Sequence, residues 1–185
     1  MDSKELAKVV VACKKNSRRA KAKLYHAYAP TLLTICLRYA RNKTEAEDIL
    51  HEGFIKIYTK IDQAGKGSFE AWMKQIIKNE ALQFLRKKSN LNKKHFQYEK
   101  EVEEESYNEE LIVNDISSKK ILEMIQELPD GYRLVFNLYV FEEKSHKEIA
   151  RALEITESTS KSQYFRAKKL LQNRINEYRK QIQKS

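Results

Sequence analysis

The chain has 185 residues, 41% of them hydrophobic and 34% charged, and only four Gly and two Pro. That pair makes up about 12% of an average protein, so the composition argues against a turn-rich β-sandwich or barrel and for small cores carried by amphipathic helices. The net charge of +10 suits a polyanionic partner, nucleic acid before membrane.

Charge divides the chain into blocks. Residues 1–90 carry +10, residues 91–118 carry −5 and residues 119–185 carry +5. The middle block has sparse apolar residues and no sustained period, which predicts a solvated acidic linker, with a charged surface helix as the other reading. The expected fold is therefore all-α, with helical domains over 1–90 and 119–185 joined by a linker over 91–118. Cys13 and Cys36 lie in apolar stretches without metal-ligand spacing, as expected of reduced core thiols in a cytoplasmic protein. No apolar run reaches the length of a membrane helix. Four scattered His, with no nucleophile, metal or Gly-rich phosphate constellation, give enzyme chemistry nothing to work with, so neither cofactor nor metal is expected.

Leu24, Tyr25, Tyr28, Leu32, Leu33, Cys36, Leu37 and Ala40 keep a helical period interrupted only by Pro30. From Thr44 to Ile61, Ala46, Ile49, Leu50, Phe54, Ile57, Tyr58 and Ile61 form an apolar stripe, and Thr44 with Glu47 reads as a capping box. Opposite the stripe, Glu45, Asp48, His51 and Glu52 gather at the N-terminal half. Two readings are open: carboxylates favoured by the positive end of the helix dipole, or a docking face for a basic protein.

Ser68 and Glu70 open a third helix running to about Lys88. Phe69, Met73, Ile76, Ile77 and Phe84 form its core face; Gln75, Asn79, Gln83 and Arg86 form a polar stripe beside it, with Lys74 and Lys78 further round. Trp72 falls at the border. A lone Trp is more often a core residue, but an aromatic edge beside amides and Arg is also the set that grips unstacked bases. Glu80 projects toward the core side and has no evident partner.

Ile121, Leu122, Ile125 and Leu128 predict a short helix stopped by Pro129-Asp130-Gly131. Leu134, Val135, Leu138 and Tyr139 predict a second. A third opens on the capping box Ser145–Glu148, and after Glu154-Ile155-Thr156-Glu157 comes a last helix. Residues 158–185 alone carry +7. A capped short helix, a tight turn and a basic helix make the helix-turn-helix pattern, whose second helix enters the major groove. Ser160, Tyr164, Ala167, Leu171 and Ile175 face inward. The candidate duplex contacts are Ser158, Thr159, Lys161, Ser162, Gln163, Phe165, Arg166 and Lys169, with Phe165 suited to a thymine methyl.

The ordered set of these segments resembles the bacterial RNA polymerase sigma factors of the extracytoplasmic-function type. Leu24-Tyr25 to Arg38-Tyr39 and Glu45-Ala46-Glu47-Asp48-Ile49-Leu50-His51-Glu52-Gly53-Phe54 are similar to the first conserved regions. Ser68-Phe69-Glu70-Ala71-Trp72-Met73 through Asn79 to Leu85-Arg86 is similar to the promoter-melting and minus-ten-reading regions. Leu128 to Phe136, Lys147-Glu148-Ile149-Ala150 and Thr159 to Ala167 are similar to the region that binds the minus-thirty-five element. The resemblance implies that Asp48, His51, Glu52 and Phe54 dock on the coiled coil of the polymerase β′ subunit. It implies too that Trp72, Lys74, Gln75, Lys78, Asn79, Gln83 and Arg86 handle melted promoter DNA, with Asn79 and its neighbours capturing a flipped base. Core polymerase, promoter DNA and a controlling anti-sigma factor are the implied partners. His51 stands where the family more often has Gln, Gln83 where it has Asp, and Glu154 and Ser158 where Gly is common. A stand-alone helix-turn-helix regulator is the alternative reading; it has no use for Trp72 or Asn79.

Overall fold

The computed structural model describes residues 1–65, 67–91 and 115–183, and among these every regular element is helical. In chain order they are α1 (Ser3–Lys14), α2 (Arg18–Tyr39), α3 (Lys43–Thr59), a 3-10 turn (Ile61–Gln63), α4 (Phe69–Leu91), α5 (Ser118–Gln126), α6 (Asp130–Val140), α7 (His146–Leu153) and α8 (Glu157–Ile182). The chain divides into two compact units, residues 1–84 and 85–185, with the boundary inside α4. The all-α, two-part expectation holds. Most of the acidic linker expected over 91–118, residues 92–114, lies outside the described residues.

In the first unit Leu24, Leu32, Ile35, Cys36 and Tyr39 of α2 are buried together with Ala46, Ile49, Leu50, Phe54 and Ile57 of α3. Helix α2 runs unbroken through Pro30: the bond a proline forfeits inside a helix is outweighed by apolar burial on both sides of it. Helix α3 starts earlier than the Thr44 capping box suggests. Asn42 is the cap, accepting from the Glu45 backbone N–H at 2.9 Å, so Glu45, not Glu47, occupies the first turn. Helices α3 and α4 approach closely at Gly53, where a Cβ would collide with the Ile77 side chain. Ser68 caps α4, accepting from the Ala71 N–H at 3.2 Å.

The second unit has its core at Met124, Ile125, Leu128, Phe136, Ala167, Leu171 and Ile175. Ile116, expected in the linker, is buried in that same core, and Asp115 beside it takes two bonds from Arg179, at 2.8 and 2.6 Å. Pro129 and Asp130, read as the stop after α5, also start α6. The Ser145–Glu148 capping box of α7 is present in both directions.

Helix α7 ends on Glu154 in the left-handed conformation, φ 58° and ψ 41°, with the Ile155 N–H reaching back to Ala150 O at 3.1 Å. A side chain in this region costs about 1–2 kcal/mol that glycine does not, partly returned by glycine's freedom in the unfolded chain. Glu154→Gly is therefore expected to stabilise the second unit by about 0.5–1 kcal/mol, read as a rise in the denaturation midpoint at unchanged slope.

Candidate nucleic-acid interface

Three helices, α3, α4 and α8, carry the residues singled out by the sequence, and each is positioned by its buried face. On α4, Met73, Ile77 and Ala81 are fully buried, which turns the positions between them outward. Gln75, Asn79 and Gln83 are exposed, with Lys74, Lys78 and Arg86 half-exposed. Gln75 Nε2 donates to Asn79 Oδ1 at 3.0 Å, aligning the two amides one turn apart. Trp72 is half-buried, its ring centroid 5.3 Å from that of Phe69, on the border between the core face and the polar stripe.

Glu80 has its account here. The helical phase is correct, and Glu80 is 8% exposed because Lys56 of α3 reaches over to it as an ion pair. The same ammonium donates to Gln83 Oε1 at 3.1 Å. An ammonium has only donors, so Gln83 turns its oxygen toward α3 and its NH2 group outward. Sequence reading missed Lys56, since no local pattern joins residues 27 positions apart.

On α3, Asp48, His51 and Glu52 are exposed as expected, and Ile55, one turn on, adds an apolar side chain 46% exposed to the same stripe. Phe54 is not on this surface. It is 2% exposed, packed under Tyr25 at 4.7 Å and beside Tyr58 at 5.7 Å between ring centroids, so it supports the helix from beneath.

In the second unit the inward set of α8 is as expected: Ser160, Ala167, Leu171 and Ile175 are buried. Ser158, Lys161 and Lys169 are exposed, and Thr159, Ser162, Phe165 and Arg166 are half-exposed. Gln163 corrects the list: at 6% exposure its phase places it with Ser160 and Ala167, where its amide is closed to base edges. Thr156 caps α8, accepting from the Thr159 N–H at 3.0 Å, and Arg166 lies 3.4 Å from the Tyr132 hydroxyl of α6. The contact between α7 and α8 is fixed by His146, whose Nδ1 is 3.0 Å from Ser160 Oγ and whose ring stacks on Tyr139 at 4.6 Å.

Burial, helped by the Lys161 charge and opposed by Glu157, pushes the His146 imidazole below its ordinary value. Its folded pKa is thus lower than its unfolded one, so the unfolded chain binds the extra proton as pH falls. The stability due to neutral His146 is complete above about pH 6.5 and lost progressively below it. We expect the melting temperature of the second unit to drop on acidification below that pH, and the drop to be smaller in His146→Phe, measured by circular dichroism across pH 5–8.

Comparison with known proteins decides what this pair of surfaces belongs to. Residues 24–91 match the model of sigma-70 region 2 and residues 118–171 that of sigma-70 region 4. The chain is 27% identical over 160 residues to the ECF RNA polymerase sigma factor SigM of Bacillus subtilis, covering 80% of this chain and 90% of that protein. To SigW of the same organism it is 28% identical over 180 residues, covering 92% and 96%. The chain belongs to the extracytoplasmic-function sigma factors.

Among solved structures this sigma factor resembles RpoE in complex with the anti-sigma factor NepR from Bartonella quintana, at 20% identity, 84% of this chain, 96% of that one and a TM-score of 0.45. The family is not one of enzymes. Among the described residues of this sigma factor no cluster of His, Cys, Asp or Glu could hold a metal ion, and no helix is long and apolar enough to cross a membrane. The polar stripe of α4 falls within the region 2 match, and the first half of α8 within the region 4 match.

Proposed function

We propose that this sigma factor binds core RNA polymerase and directs it to promoters, reading duplex DNA with α8 and melted DNA with α4. The single observation that carries the reading is the exposed row Gln75–Asn79–Gln83 beside the half-buried Trp72. Rings stack on any unpaired base while amides read its edge, and a duplex-binding regulator has no use for such a row. Melted bases are held between Trp72 and the amides, with Lys74, Lys78 and Arg86 on the phosphates. Asn79 captures a flipped base, and Gln83, oriented by Lys56, offers it a donor. On α8, Ser158, Thr159, Ser162 and Arg166 reach base edges, Phe165 meets a thymine methyl, and Lys161 and Lys169 hold phosphates.

Docking on the β′ coiled coil falls to Asp48, His51 and Glu52, with Ile55 as the apolar centre of the patch and Phe54 as its support from below. A charged rim around an apolar contact is the usual build of a specific interface. A controlling anti-sigma factor is a further partner of this reading, carried by the family alone.

Gel shifts of one promoter fragment with the chain alone, with core polymerase alone and with both test the reading. The expected result is a specific complex only when both are present. A specific complex formed equally well by the chain alone would make it a stand-alone regulator instead.

A further inference from the structure

Most of the positive charge of residues 1–90 lies off the reading helix. Residues 1–23, outside the region 2 match, carry +6 of the +10 held by residues 1–90, from eight cations and two acids. Both acids are spent locally: Asp2 caps α1, accepting from the Glu5 N–H at 2.7 Å, and Glu5 pairs with Lys23 at 2.6 Å. Among the described residues no carboxylate lies within ion-pair distance of Lys4, Lys8, Lys15, Arg18 or Arg19, and all five side chains are exposed.

These cations stand on a fixed hairpin. Val9, Cys13, Ala20 and Leu24 are buried beneath it, the turn closes through Asn16 N–H to Cys13 O at 2.8 Å and Ser17 N–H to Ala12 O at 3.1 Å, and the Tyr58 hydroxyl ties down Lys21 O at 2.9 Å. A groove of about 640 Å³ runs between α1 and α2, with Lys4, Lys8, Arg19 and Lys23 on its walls beside Asp2 and Glu5. A surface serving only solubility intersperses the two signs of charge; here cations outnumber acids eight to two over residues 1–23, and the surface is already ordered. Arg18 and Arg19 moreover occupy the first turn of α2, which holds no acid and where the helix dipole disfavours cations. They cost the free protein stability.

We infer that the hairpin of α1 and the start of α2 is an additional DNA-binding surface, gripping the phosphates of duplex DNA without reading sequence. The occupant is double-stranded DNA because the groove and turn offer charge and no exposed aromatic ring on which an unpaired base could stack. The inference rests on the proposed function insofar as DNA is the working partner.

The test is the triple variant Lys15→Gln, Arg18→Gln, Arg19→Gln, measured as holoenzyme with core polymerase on a promoter fragment and on a scrambled one across a salt series. Each phosphate contact adds about 0.9 to the slope of log affinity against log salt, so the slope should fall by about 2–3. Affinity should weaken about 10-fold at low salt on both fragments alike, since phosphate contacts carry no sequence information. An Arg18→Glu, Arg19→Glu variant should lose DNA binding further yet melt at a higher temperature, which separates the loss from misfolding. An unchanged slope overturns the inference, as does a loss confined to core polymerase binding, which would make the surface a protein contact. If wild-type holoenzyme shows no promoter preference the proposed function fails, while the slope on the scrambled duplex still decides this surface.

Discussion

Replacing Arg133 with alanine is expected to lower the stability of the second unit by about 3–5 kcal/mol, the usual cost of breaking a buried ion pair from one side. Arg133 is fully buried. Its Nη1 donates to the carbonyls of Gln126 and Leu128 at 2.7 and 2.9 Å, and its Nη2 pairs with Asp130. One guanidinium thus donates to carbonyls at the C-terminal end of α5 and to the carboxylate in the first turn of α6. Arg174 of α8 completes the same end, donating to Met124 O at 3.0 Å and Glu127 O at 3.2 Å. Removing Arg133 takes one charged donor from a carboxylate and two carbonyls and leaves a cavity as well. Arg133→Lys should also be destabilising, because a single ammonium cannot hold the fork geometry. Urea denaturation of the full chain reads both variants. A loss under about 1 kcal/mol for Arg133→Ala would contradict the assignment.

The second large effect is functional. Asn79→Ala should reduce open-complex formation by about 10- to 100-fold, the range of about 1–3 kcal/mol that a paired amide–base contact contributes, while leaving affinity for core polymerase unchanged. Asn79 is exposed and its contact in the free protein is with Gln75, so its removal disturbs no core. Permanganate reactivity of thymines in the melted region measures opening, and a polymerase pull-down measures docking. Equal loss of both would sink the division of labour between α4 and α3.

Much of this organisation was legible because helices write their buried face into the sequence at a period near 3.6. The stripes of α3 and α8 and the Ser145 capping box came out as read, and even Glu80 had its correct phase. What the pattern could not supply were partners distant in sequence. Lys56 meets Glu80 and Gln83 across two helices, and Arg133 and Arg174 meet the end of α5 from two others. Phe54 was assigned to a docking face by resemblance although its place in the apolar stripe already put it inside. Gln163 belongs to the candidate duplex contacts by its place in the recognition segment, and the phase it shares with Ser160 and Ala167 buries it instead. The left-handed Glu154 was foreseeable as a position where glycine is common; the Asn42 cap was not, since Thr44 two residues later offers an equally good motif.

Transcription by core polymerase on genomic DNA fragments, with and without this chain, followed by mapping of RNA 5′ ends, tests the central claim most directly. Discrete start sites that appear only with the chain, and weaken together in Asn79→Ala, are predicted. The same start sites with core polymerase alone, or none in either reaction, would contradict it.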